Sequence, residues 1–250
     1  MSAEPQVRVF SRPEDLFEAA AEEFIRLANA AVREKGHFDV ALSGGSTPKA
    51  LFSVLASKPA GTIPWNEIRF FWGDERHVPP DHPDSNYRMA NEAMLSLVPI
   101  DPRNVFRVPS EIPDAGAAAA QYEQTLRSAF QTGKDGVPTF DLILLGLGPD
   151  GHTASLFPGT KALHEKSRLV VANWVDKFKT DRITFTLPVI NHAANVMFLV
   201  AGKDKAPAMA AVFDGKSDPE QFPAKLVRPA TGSLTWLVGQ EAAADMRRAS

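Results

Sequence analysis

The sequence predicts an α/β fold, in which an open, mainly parallel sheet carries helices on both faces. Short apolar runs alternate with longer stretches of helical periodicity along the chain. The run at 140–145 is almost unbroken in its apolar character, which is typical of a strand buried on both faces. No change of composition marks a linker, so we expect residues 1–250 to form a single domain.

The elements of the first half are predicted from spacing and from turn residues. Pro13 opens the longest helical stretch, which ends at Gly36. Within it Leu16, Ala20 and Phe24 recur on one face. In chain order we predict a strand at 7–10, a helix at 13–36, a strand at 38–42, a helix near 50–55, a strand at 68–72, and helices at 85–97 and 115–130.

The second half is predicted in the same way, from apolar runs bounded by polar or glycine-rich segments. It comprises strands at 140–145, 169–174, 183–187 and 196–201, a helix at 206–213, a strand at 234–238 and a terminal helix. Because ligands bind outside the carboxyl ends of the strands in open α/β sheets, the segments that come directly after these strands are the candidate site.

The first such segment is the glycine-rich turn at 43–48. Thr47 is predicted as the N-cap of the next helix and Pro48 as its first residue. Amides exposed at a helix start favour an anion such as phosphate, although a capped turn without a ligand explains the pattern equally well. The candidate phosphate-binding residues are Gly44, Gly45, Ser46 and Thr47.

The second turn, at 146–151, matches the G-x-G-x-x-G pattern of dinucleotide-binding proteins. Two features argue against a nicotinamide cofactor. Pro158 and Gly159 cut the next helix short, and Asp150 would lie beside the pyrophosphate. The residue after the turn is more informative, because His152 could act as a general base that a nearby carboxylate orients. A capping or packing role for this histidine remains the alternative.

A third polar segment, at 73–77, comes after the strand predicted at 68–72. Arg76 suits bidentate contact with a phosphate, and Asp74 suits a hydroxyl or proton transfer. An exposed charged loop is the alternative. Arg182 and Lys205 stand near predicted strand ends and could add cationic contacts or be surface charges. These segments are expected to converge on one rim of the sheet.

Composition narrows the classes of function. There is no cysteine, which excludes disulfides and thiolate metal sites, and His77 and His82 are too loosely spaced to predict a metal. A formal net charge of −3, with both signs mixed along the chain, disfavours a nucleic-acid partner. No signal peptide or membrane span is recognisable, so we expect a cytoplasmic protein. A monomer and a small homo-oligomer are both compatible with the sequence.

Taken together, the motifs resemble the 6-phosphogluconolactonase family. The matching segments are 42–48, 72–78, 84–87, 146–158, 182–184 and 202–205, and they cover roughly residues 38–215. The resemblance implies a modified Rossmann-like fold shared with glucosamine-6-phosphate deaminase. It also implies hydrolysis of 6-phospho-D-glucono-1,5-lactone in the oxidative pentose phosphate pathway, without a cofactor.

The resemblance further implies residue roles. His152 would be the base and then the acid, and Asp74 or Asp150 would orient it or bind a sugar hydroxyl. The turn at 44–47 would hold the phosphate, with Arg76 and, in addition, Arg182 and Lys205. The sugar-phosphate lactone would be the small-molecule partner.

Two other functions are compatible with the superfamily, namely deamination of glucosamine 6-phosphate and sugar-phosphate sensing without turnover. The deaminases carry a glutamate where this chain has Phe157 and a tyrosine where it has Arg76, which favours the lactonase. A sugar-phosphate sensor without turnover is disfavoured, since no DNA-binding appendage or basic patch is recognisable.

Overall fold

The computed structural model describes residues 4–246. In chain order the strands are β1 (Gln6–Phe10), β2 (Phe38–Leu42), β3 (Ile68–Trp72), β4 (Asp74–Arg76), β5 (Leu142–Leu145), β6 (Val170–Val175), β7 (Thr180–Phe185), β8 (Asn195–Val200) and β9 (Ser233–Gly239). The helices are α1 (Pro13–Lys35), α2 (Ser46–Ala56), α3 (Asn86–Ala93), α4 (Ala115–Ala129), α5 (Leu187–Ile190) and α6 (Ala206–Phe213). Short 3₁₀ turns, including Lys203–Lys205, join several of them.

Six strands form a parallel sheet in the order β1-β9-β8-β5-β2-β3. All five side chains of β2 and all four of β5 are buried. Because successive side chains of a strand point to opposite faces, burial of every one shows that both faces of the sheet are covered. The predicted mainly parallel α/β architecture is therefore confirmed.

A second sheet was not anticipated from the sequence. β4, β7 and β6 form an antiparallel sheet in which β7 is central. β4 is three residues long and polar, so it carries no apolar run that could reveal it. Gly73 alone separates it from β3, and this short connection attaches the small sheet to the carboxyl end of the large one.

Aromatic packing fixes this junction. Tyr122 on α4 is fully buried, and its hydroxyl accepts a hydrogen bond from the backbone N–H of Trp72 at 2.8 Å. The same ring stacks with Phe185 on β7, with centroids 6.1 Å apart. Burial raises the pKa of the Tyr122 hydroxyl above its ordinary range. α4 thus ties the end of β3 to β7, on either side of β4.

The order in which the chain adds strands to the large sheet reverses between β2 and β5. From β2 the chain crosses to β3 on one side, and it returns to β5 on the other side of β2. The loops that leave the carboxyl ends of these two strands therefore diverge and open a crevice between them, which is where open α/β sheets place their ligands.

Two local predictions are wrong. Thr47 is not the N-cap of α2, because the helix begins at Ser46 with Gly45 as its N-cap, and Pro48 is its third residue. Gly45 has a φ of 104°, which glycine adopts readily and which turns the chain into the helix earlier than expected.

The terminal helix is the second error. Residues 240–246 form turns, starting with the amides of Ala242 and Ala243, which both bond to the carbonyl of Gly239. Residues 247–250 lie outside the described residues. Among the helices of residues 4–246, none combines the length and apolar character needed to cross a bilayer.

Candidate active site

A cleft of about 280 Å³ opens at the carboxyl ends of β2 and β5. All three polar segments singled out in the sequence reach it, so they converge on one rim of the sheet as predicted. Its lining comes from 43–45 after β2, from Asp74 and Arg76 on β4, from Asn86, from 146–149, 152–155 and Phe157 after β5, and from Phe178, Arg182 and Lys205.

His152 and Asp150 form a pair at this rim. His152 Nδ1 lies in hydrogen-bond contact with Asp150 Oδ1, and both side chains are partly exposed. Partial burial acts to raise the pKa of Asp150, but the hydrogen bond and charge of His152 outweigh it and hold the pKa well below its ordinary range. Lys177 Nζ, 3.5 Å from Asp150 Oδ2, acts in the same direction. Asp150 is therefore a carboxylate that can accept a hydrogen bond from an N–H at His152 Nδ1.

The loop after β5 is shaped to hold this pair. The Gly148 N–H donates to the His152 carbonyl at 2.8 Å, and the Gly151 N–H donates to the Gly148 carbonyl at 3.0 Å. A Cβ at Gly148 would collide with the His152 ring and the Asp150 carboxylate. Phe157 stacks against the imidazole, with ring centroids 4.1 Å apart. The pair therefore fits only beside a glycine.

Asp74 has a different partner. It is 8% exposed, and its Oδ2 accepts a hydrogen bond from Ser155 Oγ at 2.6 Å. Of the two carboxylates that the sequence left as candidates, Asp150 is the one in contact with His152. Asp74 lies on β4 opposite Thr184 of β7, and it also lines the cleft.

Arg76 and Arg182 lie side by side. They are directly opposite one another in the β4–β7 pairing, and both line the cleft. Burial and then the neighbouring charge of Arg76 lower the pKa of Arg182, with Asp74 acting in the opposite direction. Arg76 donates to the carbonyl of Asp84, and Arg182 stacks over Phe178 at 5.3 Å. Among the described residues neither guanidinium has a carboxylate within ion-pairing distance, so two cations face the cleft unneutralised.

The remaining predicted anion contacts divide into two groups. Gly44, Gly45 and Lys205 line the cleft, and Lys205 Nζ lies 2.8 Å from the Asp204 carboxylate. Ser46 and Thr47, the first two residues of α2, are not among its lining residues. Gly44 and Gly45 are thus at the cleft together with Ser43, whereas Ser46 and Thr47 are not.

Sequence reasoning assigned no role to the residues that support β4. Glu75 is buried and accepts hydrogen bonds from the backbone N–H groups of Asn86 at 2.7 Å and Tyr87 at 2.8 Å, and from Ser85 Oγ. Burial raises the pKa of Glu75, against the effect of these donors. Glu75 thereby fastens the start of α3 to β4. The family-like segment 84–87 was the only signal of this contact, and nothing in it points to Glu75.

The histidines considered for a metal lie apart. His77 Nε2 contacts the carbonyl of Ile112 at 2.8 Å, and His82 Nδ1 accepts from the Asp84 N–H at 3.1 Å. Within residues 4–246 no group of three His, Asp or Glu side chains is arranged to hold a metal ion. Fold and site together define a Rossmann-like α/β protein whose cleft combines unneutralised cations with a histidine–carboxylate pair.

Comparison with known proteins identifies the family. Residues 11–236 match the model described as glucosamine-6-phosphate isomerases/6-phosphogluconolactonase. The chain belongs to this family. It is 44% identical to a Synechocystis protein named 6-phosphogluconolactonase, over 97% of this chain and 99% of that one.

Solved structures agree. A 6-phosphogluconolactonase from Trypanosoma cruzi is 32% identical, covers 98% of both chains and has a TM-score of 0.86. A monomeric glucosamine-6-phosphate deaminase, at 23% identity, covers 96% of this chain and 99% of that one with a TM-score of 0.81, which shows the common fold alone. The predicted resemblance to the 6-phosphogluconolactonases and the predicted fold class are both confirmed.

Proposed function

We propose that this protein hydrolyses 6-phospho-D-glucono-1,5-lactone to 6-phosphogluconate, with His152 as the general base. The observation that carries the proposal is the joint placement of Arg76 and Arg182, without carboxylate partners, in the cleft that is also lined by His152, the partner of Asp150. Adjacent guanidiniums suit a phosphate dianion, and an imidazole held by a carboxylate suits proton transfer. The names of the relatives at 44% and 32% identity support the same substrate.

The phosphate anchors the substrate. Arg76 and Arg182 take up its oxygens, with the Gly44 and Gly45 backbone and Lys205 completing the anion site. Because the phosphate is remote from the lactone carbonyl, its binding energy positions the reacting atoms without entering the chemical step.

In the hydrolysis His152 acts first as a general base and then as a general acid. His152 Nε2 removes a proton from water as the water oxygen bonds to C1, and the C1 carbonyl becomes a tetrahedral oxyanion. The oxyanion collapses, the bond from C1 to the ring oxygen breaks, and the imidazolium returns its proton to that oxygen. Asp150 accepts a hydrogen bond from the Nδ1–H group and stabilises the imidazolium that forms as an intermediate, and it remains a carboxylate throughout. Acid–base catalysis of this kind contributes about 10²- to 10⁴-fold.

Asp74 binds rather than transfers protons in this scheme. One of its oxygens accepts a hydrogen bond from Ser155 Oγ, and it forms no hydrogen bond with His152. The free carboxylate oxygen suits a sugar hydroxyl in the cleft. Phe157 stacks on His152 at the sequence position where the deaminases carry a glutamate, so the second carboxylate expected for ring opening and ammonia release is replaced by an apolar ring.

The test compares two substrates of the superfamily. 6-Phosphogluconolactone, generated from glucose 6-phosphate immediately before use, is measured with 6-phosphogluconate dehydrogenase above its spontaneous hydrolysis. Ammonia release from glucosamine 6-phosphate is measured on the same preparation. The proposal predicts lactone hydrolysis in proportion to protein and no ammonia. Ammonia release would assign the deaminase reaction, and tight sugar-phosphate binding without either reaction would assign a sensor.

A further inference from the structure

Asn86 is a fixed side chain at the wall of the cleft. It is 1% exposed, opens α3 and lines the same cleft as His152. Its backbone N–H donates to Glu75 Oε1 at 2.7 Å, and its Nδ2 donates to the Asp74 carbonyl at 2.9 Å. Because the acceptor at Asp74 is a carbonyl, the Asn86 amide can have only its nitrogen there, and this fixes which way its oxygen points.

The Asn86 oxygen has no donor. Among the described residues four buried side-chain polar atoms lack a hydrogen-bond partner. They are Trp72 Nε1, Asn86 Oδ1, Thr132 Oγ1 and Trp236 Nε1. Only Asn86 of these residues also lines the cleft. A buried acceptor without a donor is rare in native proteins and requires an explanation.

The position of this oxygen is marked by Gly44. A Cβ at Gly44 would fall directly on Asn86 Oδ1, so the oxygen lies against the bare α-carbon of the glycine turn. Gly44 and Asn86 both belong to the cleft lining. The oxygen is therefore covered by the turn and closed to solvent between residues that line the cleft, and a donor from the cleft reaches it when the Gly44 turn shifts.

The chemistry of the missing donor is restricted. An amide oxygen only accepts, so it does not recognise a phosphate dianion or a carbonyl oxygen. Arg76 and Arg182 already provide the donors that a phosphate needs. A hydroxyl is the group that a sugar offers to an acceptor. Asp74, whose backbone carbonyl accepts from the Asn86 amide, places a second acceptor beside it.

We infer that Asn86 is a substrate-binding and specificity-determining residue, whose Oδ1 accepts a hydrogen bond from a hydroxyl of the sugar lactone. The inference rests on the proposed function and deepens it, because it assigns a group of the cleft to the sugar rather than to the phosphate. Gly44 then has two tasks, which are to present its amide to the anion and to leave room for the Asn86 oxygen.

The test combines Asn86→Ala with substrates that lack one hydroxyl. kcat/KM is measured for 6-phosphogluconolactone and its 2-, 3- and 4-deoxy analogues, and Kd is measured by calorimetry for the corresponding sugar acids. Loss of a buried hydrogen bond lowers kcat/KM about tenfold, so we expect that loss for Asn86→Ala on the parent lactone. For the analogue that lacks the bound hydroxyl, the wild type should show the same tenfold fall in kcat/KM. Asn86→Ala should cause no further fall in kcat/KM on that analogue.

Two control variants separate the loss of a substrate hydrogen bond from a structural effect. Asn104→Ala removes a comparable amide hydrogen bond to the Asn66 carbonyl outside the cleft, and it should leave all four lactones unaffected. Gly44→Ala displaces the Asn86 oxygen but leaves residue 86 an asparagine. It should lose the discrimination between the parent lactone and the same deoxy analogue, and it provides a second test if Asn86→Ala does not fold.

An equal penalty for Asn86→Ala on all four lactones and all four acids would show a structural role only and overturn the inference. Because the Kd values do not depend on turnover, a protein that fails to hydrolyse the lactone refutes the proposed function while the pattern of Kd values still decides the role of Asn86.

Discussion

At the amino ends of β2 and β3, a buried carboxylate is surrounded by partners, whereas at the carboxyl side of the sheet two arginines have none. Asp39 is 1% exposed and contacts Arg69 Nε at 2.5 Å, Lys35 Nζ at 3.0 Å and His37 Nε2 at 3.2 Å. Lys35 also bridges to Asp141 at 2.8 Å. The charges of the amino-end cluster are thus paired with one another, whereas Arg76 and Arg182 at the other end of the sheet have no ion-pair partner.

The two ends of the sheet differ in whether their buried charges are compensated. A buried charge destabilises the folded state unless a partner compensates it, so a paired cluster needs no ligand to explain it. Unpaired, half-buried cations such as Arg76 and Arg182 are retained where a ligand supplies the opposite charge. We therefore expect the amino-end cluster to be structural and the carboxyl-side cluster to bind a ligand. Four predictions test this contrast, beginning with the largest effect.

Asp39→Asn should strongly destabilise the protein without affecting its chemistry. Removing one partner of a buried charge cluster costs about 3 kcal/mol in the free energy of unfolding, because Arg69 stays in place without its anion and Lys35 keeps only Asp141. Urea denaturation measures this loss, and kcat of the folded variant should equal that of the wild type. If the free energy of unfolding were unchanged, or if kcat fell, the distinction between a structural amino end and a functional carboxyl end of the sheet would be contradicted.

Gly148→Ala should reduce catalysis with little change in stability. The added methyl group pushes against the His152 ring and the Asp150 carboxylate, and misplacing a catalytic group by about 1 Å costs about 100-fold in kcat. Gly133→Ala is the matched control, since a Cβ there meets no atom within 4 Å. Steady-state kinetics on both variants would contradict the account if they gave equal values of kcat.

Arg182→Gln should weaken substrate binding without weakening the fold. Loss of a charge-assisted hydrogen bond raises KM for the phosphorylated lactone about tenfold, while kcat changes little. Since the substitution also removes repulsion with Arg76, the free energy of unfolding should not fall. The preference for the phosphorylated over the free lactone should narrow accordingly. Arg103→Gln, at an exposed arginine paired with Asp101, is the control and should leave KM unchanged.

The smallest effect concerns the pH dependence of stability. Burial acts to lower the pKa of Lys35, but its hydrogen bond to Asp141 and the charges of Asp39 and Asp141 outweigh it, so the pKa is raised above 10.5. A raised folded-state pKa means that the stabilisation is complete below the unfolded value of 10.5 and is lost as the pH rises through the folded value. The difference in stability between wild type and Lys35→Met should therefore shrink above about pH 10.5. A difference that is constant across this range would contradict the assignment.

The sequence was sufficient for the part of the site that lies on the parallel sheet. His152, Asp150 and Gly44 come soon after β5 and β2, and the carboxyl ends of parallel strands meet at one edge. Their convergence could therefore be predicted before any contact was known. Arg76 was found for the same reason, since it lies just beyond β3.

The parts that involve the small antiparallel sheet could not be predicted. Arg182 faces Arg76 only because β4 pairs with β7, and β4 has no apolar pattern that would reveal a strand. The Ser155–Asp74 hydrogen bond joins residues far apart in the chain, and it too depends on where β4 lies. Which carboxylate touches His152 was likewise undecidable from spacing, because both candidates were expected at the same rim.

In the proposed mechanism His152 performs the proton transfer, and other residues of the cleft bind the substrate. The most direct measurement is kcat of His152→Ala on freshly generated 6-phosphogluconolactone, with spontaneous hydrolysis subtracted. The account predicts a fall of about 10²-fold or more, in a protein that still binds 6-phosphogluconate with nearly unchanged affinity. Turnover close to that of the wild type would contradict the assignment of His152 as the base.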